Sequence, residues 1–177
     1  MEQSKKKIEI SSEKLSYHQF DFKEEDVTEE RFSKSENAFY DDDIKAALAY
    51  GDEVHHMLEY VDYNKNNQNL SHLPQSIQEA VSYLKQSDLF QSFKHPQFYQ
   101  EYAFVDTSNG YDRHGIIDLL IIDDEKVVIL DYKLKQIDEP AYEKQLLGYQ
   151  SYLKKRVNKP IVGYLYALID RTLKKVF

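Results

Sequence analysis

The chain has 177 residues, 41% of them hydrophobic, with 15 Tyr, 9 Phe and a net charge of −8. That length carries one domain with a sizeable core. With no cysteine in the chain, disulfides, thiolate zinc sites and a cysteine-held iron–sulfur cluster are excluded.

No apolar run approaches the ~20 residues of a membrane span. The start, Met1-Glu2-Gln3-Ser4-Lys5-Lys6-Lys7, lacks an apolar signal-peptide core, so a cytoplasmic protein with no membrane partner is expected. The charge is unevenly spread. From Asp131 to Phe177 there are 10 Lys+Arg against 5 Asp+Glu, a local +5, whereas residues 1–130 carry 13 against 26. A basic C-terminal third is a phosphate-facing surface in the making.

Residues 1–43 are polar and acidic, with Glu24-Glu25-Asp26, Glu29-Glu30 and Asp41-Asp42-Asp43 and few apolar side chains. They read as a partly ordered lead-in or linker to a domain over 44–177. A helix follows from about Ile44 to Tyr60. Its stripe Ile44, Ala47, Leu48, Gly51, Val54, His55, Leu58 and Val61 repeats at helical steps and marks the buried side. Gly51 would let it approach a sheet closely. His55 lies on the stripe and His56 off it, so His55 reads first as a core histidine. After the polar loop Asn64–Asn69, a second helix covers about Pro74–Gln86, and Ser87-Asp88 can cap a short third one over Leu89–Phe93. The aromatic run Phe98–Val105 suits a strand and carries Glu101 within it. The loop Asp106–Arg113 holds an Asn109-Gly110 turn signal, and Arg113 and His114 are candidate phosphate contacts.

Two strongly apolar runs come next, Ile116–Ile122 and Val127–Tyr132, around the charged turn Asp123-Asp124-Glu125-Lys126. Such runs with a four-residue loop predict a hairpin. Pairing Ile122 with Val127 sets Leu120 against Ile129 and Asp118 against Asp131, on one face with Lys133. The two carboxylates would then lie roughly 5 Å apart at Cβ. Like charges that close, in strands apolar enough to be buried, repel unless a cation joins them. Mg²⁺ is the hard ion that carboxylates hold, and a lysine beside it suits metal-assisted phosphodiester hydrolysis. The competing reading is a surface hairpin with solvated aspartates.

Pro140 fits the first turn of a helix over Ala141–Arg156, capped by Asp138 or Glu139. Gln145 and Tyr149, four apart, point the same way. Gln can hydrogen-bond a phosphate or base and Tyr can stack on an unpaired base, or Tyr149 is core. Lys154-Lys155-Arg156 suits the negative end of the helix dipole. Ile161–Ile169 is a further strand and Thr172–Phe177 an edge strand. These elements build a mixed β-sheet with helices on both faces.

Taken together, Gly51-Asp52-Glu53-Val54-His55, Glu101-Tyr102-Ala103-Phe104, Gly115-Ile116-Ile117-Asp118-Leu119-Leu120, Asp131-Tyr132-Lys133 and Gln145-Leu146-Leu147-Gly148-Tyr149 resemble, in order, the motifs of the PD-(D/E)xK nuclease superfamily, above all the RecB/AddA-type nuclease domains of bacterial helicase–nucleases. The resemblance covers roughly 44–152. It implies a restriction-endonuclease-like mixed sheet flanked by helices. It also implies a metal site of His55, Asp118, Asp131 and the Tyr132 carbonyl, taking Mg²⁺ or Mn²⁺. Lys133 becomes the catalytic lysine, Glu101 a supporting acid, and Gln145 with Tyr149 the DNA-facing pair. The expected activity is that of a deoxyribonuclease, exonuclease rather than endonuclease. Single-stranded DNA ends are its expected partner, with a helicase motor in the same or another chain, in double-strand-break processing and recombinational repair. The rival expectation is an inactive nuclease fold that clamps DNA ends or serves as a scaffold subunit. Another is an interaction module whose acidic residues 1–43 bind a basic partner.

Overall fold

The apolar runs of the chain form the strands of one mixed sheet, and the segments of helical period cover both of its faces. The computed structural model describes residues 30–31, 42–65, 69–107 and 112–177. Most of the acidic lead-in and the Asn109-Gly110 turn lie outside the described residues. The elements are β1 (Glu30–Arg31), α1 (Asp42–Leu58), α2 (Gln75–Gln86), α3 (Asp88–Gln91), β2 (Gln97–Asp106), β3 (Arg113–Ile122), β4 (Val127–Lys133), α4 (Pro140–Lys154), β5 (Ile161–Ala167) and β6 (Thr172–Lys175). Each expected helix and strand is present within a few residues. The two-residue β1 has no counterpart in the sequence reading. No helix among the described residues is long and apolar enough to cross a membrane.

The sheet runs β1-β3-β4-β5-β6, with β2 on the other flank of β3. β2, β3 and β4 pair antiparallel, β4 and β5 pair parallel across the α4 connection, and β6 closes the far edge antiparallel. One face packs Leu119, Ile121, Val128, Leu130 and Tyr132 against Val54 and Leu58 of α1 and Ile77, Val81 and Leu84 of α2. The other packs Ile117, Leu120, Val127, Ile129 and Leu165 against Leu146, Tyr149 and Leu153 of α4. Ser87 accepts a bond from Phe90 N–H at 3.4 Å, the expected cap of α3, and Pro140 sits in the first turn of α4.

The expectations for α1 need correction. Among its described side chains, the stripe is buried only toward the C-terminal end. Val54 and Leu58 are buried, but Ala47 and Leu48 are exposed, Leu48 by 54%. Gly51 lies at Leu134, just beyond the end of β4. It is not the close approach: an added Cβ there would meet Leu134 Cδ1 at 3.6 Å, ordinary contact. Gly115 is, because any Cβ there would strike the Phe104 ring.

The hairpin register is the expected one at its closed end, with Ile122 opposite Val127 and Leu120 opposite Ile129. It stops one step short of the aspartates, at Leu119 opposite Leu130. Asp118 and Asp131 are therefore not a ladder pair, which corrects the sequence expectation. The reason is a shift of phase in β2 and β3. Phe98 packs on the α1 side of the sheet but Tyr102 and Phe104 on the α4 side. Likewise Leu119 lies on the α1 side, and Ile117, two residues earlier, on the α4 side. Strict alternation would keep each set on one face. Glu101 sits at this shift with φ 46°, the left-handed region that favours glycine. Below this point β3 and β4 part, and β3 pairs with β1 at Arg113 and His114.

Candidate active site and metal centre

The parting of β3 and β4 leaves backbone groups that a ladder would have satisfied. Asp118 takes one of them: its Oδ2 accepts the Tyr132 N–H at 2.6 Å. Its other oxygen, Oδ1, lies 3.5 Å from His55 Nδ1 on α1. The His55 ring meets Tyr132 edge-on, centroids 6.1 Å apart at 73°, and the Tyr132 hydroxyl is 2.5 Å from that of Tyr63 inside the core. One residue of β4 thus orients both Asp118 and His55. His55 is half-buried, which alone would lower its pKa. The hydrogen bond and charge of Asp118 outweigh that and raise it above 6.5.

Glu101 completes a three-residue group. One donor atom from each of His55, Glu101 and Asp118 lies within 4.8 Å of the others. Burial, then the charge of Asp118, raises the Glu101 pKa. A non-glycine residue at positive φ in mid-strand costs ~1–3 kcal/mol and persists where surrounding structure holds it. Here the chain keeps a carboxylate where glycine would fit with less strain.

Asp131 is 1% exposed. Its Oδ2 lies 2.5 Å from Lys133 Nζ, an ion pair, and its Oδ1 has no hydrogen-bond partner. Buried carboxylates are normally well hydrogen-bonded. Burial, with the charge of Asp118 second, pushes its pKa up to about 7 against the pull of Lys133. Lys133 itself is pushed down by burial, but the charges of Asp131 and Asp118 more than offset this and raise its pKa. Its ammonium also lies 4.5 Å from the centroid of the Tyr142 ring on α4.

The DNA-facing pair takes a different form from the one expected. Gln145 Nε2 donates to the Tyr149 hydroxyl at 2.7 Å. The Tyr149 ring is only 2% exposed and packs edge-on against Phe104 at 5.7 Å and 84°. A ring so enclosed offers no face for a base to stack on, so that expectation is corrected. What the pair offers is the half-buried Gln145 amide, anchored by the Tyr149 hydroxyl. The hydroxyl feels the charges of Asp131, Asp118 and Glu101, and burial raises its pKa. Arg113 pairs with buried Asp106 at 3.2 Å, Lys155 reaches the same carboxylate at 3.3 Å, and His114 is exposed. Arg156 lies over the Tyr152 ring at 3.8 Å. The basic end of α4 is thus tied to the sheet, beyond suiting the helix dipole.

Sequence reasoning missed Tyr63, which no motif flags. It also gave Tyr142 no role within the helix over Ala141–Arg156, and Asp106 only a place in a loop. Tyr142 could have been found, because α4 begins a few residues after Lys133.

Two carboxylates and one imidazole, those of Glu101, Asp118 and His55, suit a hard divalent cation such as Mg²⁺ or Mn²⁺, and Asp131 lies outside that group of donor atoms. Asp131 Oδ1, without a hydrogen-bond partner, has lone pairs to spare, while Oδ2 is held by Lys133. No family model matches this chain, and no curated protein is significantly similar to it.

Proposed function

We propose that the chain is a Mg²⁺- or Mn²⁺-dependent deoxyribonuclease with a restriction-endonuclease-like fold, resembling the RecB/AddA-type nuclease domains. The observation that carries this reading is Asp131. A buried carboxylate tied to Lys133 through one oxygen, with no hydrogen-bond partner on the other, in a chain that also gathers His55, Glu101 and Asp118 into one donor group, is costly as a mere staple. It is sensible as part of a cation site. Asp118, Asp131, His55 and Glu101 would hold the ion, with the Tyr132 carbonyl an added ligand by resemblance. A bound ion supplies positive charge to the scissile phosphate and acidifies water.

The chain's own residues supply the rest. Lys133, held charged by its neighbours, donates to the nucleophile or a phosphate oxygen and offsets the negative charge that develops there. The Tyr132 N–H fixes one oxygen of Asp118 and leaves the other toward His55. Gln145 and the Tyr149 hydroxyl position the strand. The basic residues of the C-terminal third give the DNA backbone a matching surface despite the acidic total. The role proposed is exonucleolytic processing of DNA ends in break repair, in or beside a helicase–nuclease, with single-stranded ends the preferred substrate.

The test is cleavage of labelled single- and double-stranded oligonucleotides with Mg²⁺, Mn²⁺, Ca²⁺ or EDTA, wild type beside Lys133→Ala. Cleavage with Mg²⁺ or Mn²⁺ that vanishes in EDTA and in the variant is expected. Cleavage that survives Lys133→Ala would sink the site assignment. Absence of both cleavage and metal binding would favour the scaffold reading.

A further inference from the structure

Lysine has a long, flexible stem, and an ammonium helps a reaction only where it is held at the reacting atoms. In this fold Lys133 is held from two sides. Asp131 Oδ2 lies 2.5 Å from its Nζ, and the Tyr142 ring lies 4.5 Å from Nζ at its centroid. The two grips differ in what a metal does to them. A cation bound by Asp131 shares that carboxylate's charge and weakens its hold on the lysine. The ring is neutral and no ligand, so its attraction for the ammonium survives metal loading. The side chain of Tyr142 is partly buried against the α4-side core, which fixes the ring in place.

We propose that Tyr142 is a positioning residue for Lys133, keeping the ammonium aimed at the reacting phosphate where a bound metal would share the Asp131 carboxylate. This rests on the nuclease reading above. Its chemistry is that of an aromatic face on a cation, so the hydroxyl is dispensable and the ring is not.

Three variants separate the parts. Tyr142→Phe keeps the ring, Tyr142→Leu keeps apolar bulk without it, and Tyr142→Met repeats the second case should leucine disturb the fold. With saturating Mg²⁺, Tyr142→Phe should hold kcat within about twofold, whereas Tyr142→Leu and Tyr142→Met should lower kcat about tenfold with KM within about twofold. A second readout needs no activity. The ε-methylene protons of Lys133, assigned with Lys133→Arg, should resonate upfield from the ring current in wild type and Tyr142→Phe, with and without Mg²⁺. They should return to the ordinary lysine position in the leucine and methionine variants. An active wild type whose kcat is unchanged in Tyr142→Leu overturns the proposal and leaves the nuclease reading intact. So does loss of the upfield shift on adding Mg²⁺. A wild type that cleaves nothing overturns both.

Discussion

Near its turn, the β3–β4 hairpin is closed and dry. Leu119 to Ile122 pair with β2 on one side and β4 on the other, and nearly all the side chains on both faces are buried among aliphatic neighbours. A few residues away the same two strands have parted. There the chain places Glu101 at φ 46°, a buried Asp131 with one oxygen unpartnered, and Asp118 spending one oxygen on a stray backbone N–H. The first region has every local choice in agreement with the sheet. The second breaks the rules of strand geometry, polar satisfaction and like-charge separation in one place. Conflict concentrated at one spot of an otherwise consistent fold is the pattern on which the proposed site rests. It also means that stability and activity should respond to different residues.

The largest separation is expected at the fork. Asp131→Asn should reduce metal-dependent cleavage by about a thousandfold. It should also raise the Tm of the metal-free protein, because the folded state no longer holds an ionised group in a dry place. About 1 kcal/mol of gain would appear as about 2–4 °C in a scan. A fall in Tm would mean that the Asp131–Lys133 pair is a structural staple after all.

The mirror-image change lies in the closed half. Leu130→Ala removes a fully buried side chain and should cost about 2–5 kcal/mol by denaturant unfolding. Cleavage per folded molecule at low temperature should stay within about twofold. If the rate falls as far as in the fork variants, the two halves are not separable.

Glu101→Gly should sharpen the contrast at a smaller scale. Relief of the left-handed strain should stabilise the metal-free chain by about 1 kcal/mol, while loss of the carboxylate weakens Mn²⁺ binding about tenfold in calorimetry. Unaltered affinity would remove Glu101 from the metal group.

The smallest effect is one of pH. Asp131 and Glu101 have folded-state pKa values above those of free carboxylates, and that of His55 lies above 6.5. For each, the folded state binds protons more tightly than the unfolded state. The resulting stability is present at low pH and is lost as pH rises through the folded values, up to about 7 for Asp131. A metal must displace the same protons. The rise in Tm on adding Mn²⁺ should therefore be larger at pH 8 than at pH 6. An equal rise at both would detach these groups from the metal.

Much of this was written locally. Two apolar runs around Asp123–Lys126 predict the hairpin and its register, because both the pleat and the short turn are local constraints. Pro140 announces α4, and the two-residue step from Asp131 to Lys133 puts acid and base on one face of a strand whatever the rest of the chain does. The candidate residues themselves were legible as residue types at spacings. Their geometry was not. The hydroxyl contact of Tyr63 and Tyr132 spans 69 positions, and the hold of Tyr132 on Asp118 spans 14 across strands that separate. Whether Tyr149 shows its ring to DNA or buries it depends on Phe104 of another strand. The left-handed turn at Glu101 follows from where two faces of the sheet must change partners. Periodicity reports which side of an element is apolar. Only the packing of elements distant in sequence decides where a strand forks, which carboxylate oxygen is left unpartnered, and which aromatic ring closes over the lysine.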